Sequence, residues 1–114
     1  MRNVPIEVLY VDEDMLVVNK PSGIAVIPER FNTEKNSLQN LLEEEYGRLF
    51  IVHRIDRGTS GALCFARNEA AHKNISLQFQ EHRVKKYYLA IVTGRLKERS
   101  GTVDAPIGES NSRK

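Results

Sequence analysis

The sequence predicts an α+β domain in which a mixed, largely antiparallel sheet carries two flanking helices. Three observations predict it. Two apolar runs near the N-terminus, residues 6–10 and 15–19, are separated only by Val11-Asp12-Glu13-Asp14, which reads as a hairpin and argues against a purely parallel sheet. Two later stretches carry apolar residues at helical spacing, beginning at Leu38 and Ala71. Around them lie runs rich in Ile, Val, Tyr and Phe, the residue types that favour strands. At 114 residues the chain makes one small domain, residues 1–114, with a modest core.

After the hairpin, Lys20-Pro21-Ser22-Gly23 carries strong turn chemistry, and residues 24–27 read as a third short strand ended by Pro28. Residues 29–36 are polar and read as a loop. Asn36 or Ser37 can cap a helix whose apolar positions Leu38, Leu41, Leu42 and Tyr46 share one face, and Gly47 is a natural stop. Residues 49–52 and 62–66 are apolar runs flanking a polar turn, so the centre of the chain reads as strand, turn, strand. Asn68 caps a second helix, with Ala71, Ile75, Phe79 and His82 as its stripe. Residues 84–96 read as a long strand that places Lys86, Tyr88, Ala90 and Val92 on one face. Gly94 suggests a bulge late in that strand. Thr102 opens a further strand reaching Ile107, and residues 109–114 form a loose polar tail.

Composition excludes several function classes. No apolar run approaches the ~18 residues a membrane span needs, and the N-terminus has no secretory apolar core, so no membrane partner is expected and a cytoplasmic location is the default. The single cysteine, Cys64, rules out an internal disulfide. His72 and His82 lack Cys or carboxylate partners at ligand spacing, so no metal site is expected. The net charge of +2 hides an asymmetry: residues 1–45 balance to −5 and residues 46–114 to +7. A basic half bearing Arg54, Arg57, Arg83, Lys85 and Lys86 suits a phosphate backbone, although a solvated basic surface would look the same by charge alone.

The central turn, His53-Arg54-Ile55-Asp56-Arg57-Gly58-Thr59-Ser60-Gly61, sets one carboxylate between two guanidiniums. In an extended segment Arg54 and Asp56 share a face, and a nearby guanidinium favours the ionised carboxylate. Such a group can act as nucleophile, base or electrostatic stabiliser. It can equally be a structural ion pair, with Thr59 and Ser60 satisfying backbone donors, and the residues alone leave both readings open. A glycoside hydrolase is disfavoured, because only one candidate carboxylate is present.

Residues 53–68, His53-Arg54-Ile55-Asp56 through Phe65-Ala66-Arg67-Asn68, resemble the HRLDxxTSGLLLFAKN signature of the RluA-type pseudouridine synthases. Three further stretches match that family in order: Asn19-Lys20-Pro21-Ser22-Gly23, the run from Phe79 to Val92, and Asp104-Ala105-Pro106-Ile107-Gly108. The resemblance covers residues 6–108. It implies an enzyme that isomerises specific uridines in ribosomal or transfer RNA to pseudouridine, without metal or cofactor, on a base flipped out of the RNA. Carried over by motif, Asp56 is the catalytic aspartate, either attacking the anomeric carbon of the sugar or acting as a base toward its neighbouring carbon. Tyr88 would stack on the uracil and assist proton removal from its carbon 5. Arg54 would fill the space the flipped nucleotide leaves, and Arg57, Thr59 and Lys86 would contact RNA.

Two positions depart from the family pattern: Ile55 stands where Leu is usual and Gly58 where an acid is common. The family's catalytic domain is about twice this length, near the usual single-domain size, and its later GRxHQIRxH-like segment has no counterpart here. The resemblance therefore implies the N-terminal portion of a catalytic domain, an incomplete pseudouridine synthase fold that is inactive alone. The competing expectation is a catalytically silent RNA-binding module that keeps the basic face but not the reaction. No motif assigns an oligomeric state.

Overall fold

The computed structural model describes residues 5–28 and 37–108. Four strands and two helices form: β1 (Glu7–Val11), β2 (Met15–Lys20), α1 (Leu38–Tyr46), β3 (Phe50–Ile51), β4 (Gly61–Ala66) and α2 (Glu69–Gln80). The strands make one sheet in the order β1-β2-β4-β3, with every pair antiparallel. The predicted largely antiparallel sheet with two helices is therefore what these residues build.

The first hairpin closes because Asp12 acts on its own turn. Its Oδ1 accepts from the backbone N–H of Asp14 (2.8 Å) and Met15 (2.9 Å), and its Oδ2 accepts from the Tyr10 hydroxyl at 2.6 Å. The Tyr10 bond and these backbone donors hold the Asp12 carboxyl below its usual range. A register shift between Val8 and Tyr10 marks a bulge in β1. From the end of the neighbouring strand β4, the Arg67 guanidinium donates to the Asp12 carbonyl at 2.7 Å and locks the hairpin tip to it.

Alternation along the two central strands sends Leu16 and Val18 of β2 and Leu63 and Phe65 of β4 to one face, where all four are buried. Leu38 and Leu42 of α1, Val26 and Leu49 complete that core. Each fully buried Leu or Phe contributes about 1.5–3 kcal/mol relative to exposure. α2 packs on β4 and β3. Among the described residues no helix is long and apolar enough to cross a membrane.

Three expected strands are corrected. Residues 24–27 form no strand, because their carbonyls are committed elsewhere: Ala25 O and Val26 O accept from Leu38 N (2.8 Å) and Gln39 N (2.9 Å), satisfying free donors at the start of α1. Residues 84–96 and 102–107 are irregular and almost wholly exposed, with Leu89, Ile91 and Ile107 open to solvent. A strand needs a neighbouring backbone to bond, and the described residues place none beside them. Tyr88 and Lys86 therefore do not sit on a strand face. α2 also ends earlier than its stripe: His82 leaves the helix with φ 58°, so it is not a fourth helical stripe residue. The proposed cap Asn36, the loop of residues 29–36 and the tail of residues 109–114 lie outside the described residues.

Candidate active site

The antiparallel register of β2 and β4 pairs Lys20 with Gly61. It therefore brings the turn that follows β2 beside the turn that precedes β4. These are the Lys20-Pro21-Ser22-Gly23 and Arg54–Ser60 stretches, and sequence position alone separates them by more than thirty residues.

Four hydrogen bonds join the two turns. The Arg57 carbonyl accepts from Gly23 N at 2.7 Å and from Lys20 Nζ at 2.9 Å. Ser22 Oγ donates to the Gly58 carbonyl at 2.8 Å, and Arg57 Nη1 donates to the Gly23 carbonyl at 3.0 Å. Gly23 manages this at φ 100°, a left-handed conformation that a side chain resists. Within the second turn Thr59 N donates to the Asp56 carbonyl at 3.0 Å. The backbone around Asp56 is thus fixed, while its side chain stays exposed.

Lys20 is 0% exposed, the most deeply placed cation among the described residues. Its three ammonium protons go to the carbonyls of Pro21 (2.9 Å), Ile24 (2.7 Å) and Arg57 (2.9 Å). Burial pushes its pKa down, the Arg57 charge adds to that, and the Asp56 carboxylate opposes it. The family motif puts Lys20 in the turn and gives it no role. The signal was in the pattern: Leu16, Val18 and Lys20 alternate onto the core face, where an unpartnered lysine is costly.

The predicted site residues fall into two groups. Arg54, Asp56 and Arg57 line a cleft of about 570 Å³ against residues 25–28. Thr59, Lys86 and Tyr88 line a second cleft of about 740 Å³, together with His53, Cys64 and Phe79. Ile55 borders both. Both volumes lie in the range that accepts a nucleotide-sized ligand. Asp56 and Tyr88 are therefore not brought together. Among the described residues, Glu81 and Arg83 form an exposed ion pair at the end of α2.

His53 builds the floor of the second cleft. Its Nε2 accepts from Cys64 N at 3.2 Å and its ring stacks on Phe79 at 4.5 Å, with the Lys86 ammonium over the other ring at 5.5 Å. Burial lowers the His53 pKa and Lys86 lowers it further, which keeps the ring neutral as an acceptor needs. Burial raises the Cys64 thiol pKa, with Asp12 adding to it, which disfavours the thiolate.

Comparison with known proteins fits this arrangement. The family described as RNA pseudouridylate synthase matches residues 14–114. The dual-specificity RNA pseudouridine synthase RluA of Salmonella typhimurium is 39% identical over 100 residues, covering 88% of this chain and 46% of that protein. Ribosomal large subunit pseudouridine synthase D of Zymomonas mobilis is 38% identical over 119 residues, covering 96% and 37%. The solved structure of human RNA pseudouridylate synthase domain containing 1 superposes with a TM-score of 0.59 at 30% identity, covering 73% of this chain and 32% of that one. The chain spans less than half the length of the curated relatives it matches. With a match over residues 14–114 and the signature turn held at the end of the central strands, the chain belongs to the RNA pseudouridylate synthase family.

Proposed function

We propose that this chain forms the N-terminal portion of the catalytic domain of a cytoplasmic RNA pseudouridine synthase, with Asp56 as its catalytic carboxylate. One observation carries the reading: an exposed carboxylate stands on a turn whose backbone is bonded from both sides, in a chain of this family. Catalysis needs a reacting group held within fractions of an ångström, and this turn supplies that while leaving the carboxylate reachable. Arg54 on the same cleft supplies a planar cation that can stack on bases and meet phosphate. Thr59, Lys86 and Arg57 extend the RNA-facing surface, and Tyr88 joins Asp56 once residues 84–92 are paired as a strand. Ribosomal RNA as substrate rests on the name of the Zymomonas mobilis relative, and transfer RNA on the family resemblance of the motifs alone.

The test is pseudouridine formation by the full-length protein on RNA from cells lacking its gene. Asp56→Asn is expected to lower kcat on the order of 10³-fold or more while RNA affinity stays near native. An Asp56→Asn protein that still forms pseudouridine at the native rate would remove Asp56 from the chemistry. The 114-residue chain alone is expected to be inactive, because Tyr88 and Asp56 line different clefts in it. That same geometry favours a second reading, a silent RNA-binding module, which retained RNA affinity without turnover by the full-length protein would establish.

A further inference from the structure

We infer that Gly58 is where the bound RNA strand crosses from one cleft to the other, its sugar–phosphate backbone passing in contact with a peptide that bears no side chain. The inference rests on the proposed action of this site on RNA. Glycine is required where φ is positive or where neighbours crowd the Cβ position, and neither holds here. Thr59 N donates to the Asp56 carbonyl at 3.0 Å and closes a turn in which Gly58 is the third residue. Turns that demand glycine at that place do so through a positive φ, which Gly23, Gly47, Gly61 and Gly94 have and Gly58 does not. A Cβ on Gly58 would meet no heavy atom of the described residues within 4 Å. Turn and packing alike would admit a side chain. A third use of glycine is to let a ligand approach the backbone closely, and the surroundings of Gly58 supply the chemistry of that ligand.

Arg57 borders the 570 Å³ cleft with Asp56, and Gly58 borders the 740 Å³ cleft with Thr59, Lys85 and Lys86. The peptide joining Arg57 to Gly58 is therefore the divide between the clefts. Among the described residues, the lining of the larger cleft carries those two lysines, the hydroxyls of Thr59, Ser60, Tyr87 and Tyr88, and no carboxylate. Cations and hydroxyls without an opposing acid suit phosphate. A strand that offers its uridine to Asp56 and a neighbouring phosphate to these lysines has to pass over the divide at Gly58. The crossing is rigid as well as bare, because Ser22 Oγ donates to the Gly58 carbonyl at 2.8 Å. A side chain at residue 58 is thus compatible with the free protein and in the way of the complex.

The test compares Gly58→Ala, Gly58→Asn and Gly58→Asp in the full-length protein, reading the Tm of the free protein and the Kd for a transcript spanning the uridine it modifies. Each Tm is expected at or slightly above native, since a side chain at a compatible φ restricts only the unfolded chain. Kd is expected to rise about 3-fold for Ala, about 10-fold for Asn and about 100-fold for Asp, whose carboxylate adds repulsion of phosphate to obstruction. At saturating RNA, kcat is expected within about 3-fold of native, because the reacting groups are untouched. Native Kd for Gly58→Asn overturns the inference whatever Gly58→Asp does, since charge at a distance would then account for any loss. A variant that fails to fold, or binds weakly only with a Tm well below native, overturns it too, because the turn would then need its glycine. Asp56→Asn is run alongside with turnover as its readout. If it is fully active, the proposed function has failed; if it is inactive while the Gly58 variants bind as native, only the inference about Gly58 has failed.

Discussion

The Cys64 N–H donates to a side-chain nitrogen, His53 Nε2, just beyond the point where β3 stops pairing with β4. The ring does what the next strand carbonyl would have done, and it can do so only while neutral. Because burial and Lys86 lower the folded pKa of His53 below its ordinary 6.5, the unfolded chain binds the proton first as pH falls. Stability from this group is therefore complete above about pH 6.5 and declines as acidification proceeds toward the lowered folded value. His53→Phe keeps a ring against Phe79 and removes the titrating acceptor. The Tm advantage of the native protein over His53→Phe is expected to be largest at pH 7–8 and to shrink toward pH 5; a constant or growing gap would contradict the neutral-acceptor assignment. Asp56 and Lys20 complete the residue scale with opposite placements. The carboxylate is exposed on a fixed turn, and the ammonium is buried beneath it.

Among the elements, the two helices are set by their caps. Ser37 Oγ accepts from Asn40 N at 3.2 Å, and Asn68 Oδ1 accepts from Ala71 N at 2.8 Å. Asn68 does more, since its Nδ2 also donates to Glu13 O (3.2 Å) and Asp14 Oδ1 (2.9 Å) and so ties α2 to the hairpin tip. Ser37→Ala is expected to destabilise by about 1 kcal/mol, the usual effect of losing a cap, and Asn68→Ala by about 2 kcal/mol. Urea unfolding measures both, and equal losses would show that the bonds to the hairpin contribute nothing. The Asn68 cap and the Gly47 stop are legible in sequence because capping is decided within three or four residues of chain, whereas the choice of Ser37 over Asn36 came from the structure. Residues 24–27 misled for the opposite reason. An apolar run looks like a strand locally, yet its carbonyls are taken by the first N–H groups of α1, which arrives from beyond residue 36.

For the whole molecule, the contrast lies between the sheet and residues 84–108. The former is held by paired backbone; the latter exposes Tyr87, Leu89, Ile91 and Val92 without pairing. Segments with exposed backbone and few buried contacts open most readily. Brief trypsin treatment of the 114-residue chain is expected to cut first at Lys85, Lys86, Arg95 or Lys97, and only later at Arg54 or Arg57 in the clamped turn. Mass spectrometry of the early fragments decides it, and first cleavage at Arg54 or Arg57 would show that the clamp does not hold in solution.

By itself the sequence determined the antiparallel hairpin, the presence of both helices with the Asn68 cap, the strand–turn–strand bearing Asp56 and the family. Each of these is written in local spacing or in a contiguous motif. Only the tertiary structure decided that Lys20 reaches the Arg57 carbonyl, that His53 serves Cys64, and that Asp56 and Tyr88 line separate clefts. Only it decided that residues 84–96, strand-like by composition, stay irregular. The physical reason is common to all four. A side chain's period along a strand is local, but which backbone lies within 3 Å of it depends on register and on the presence of a partner strand.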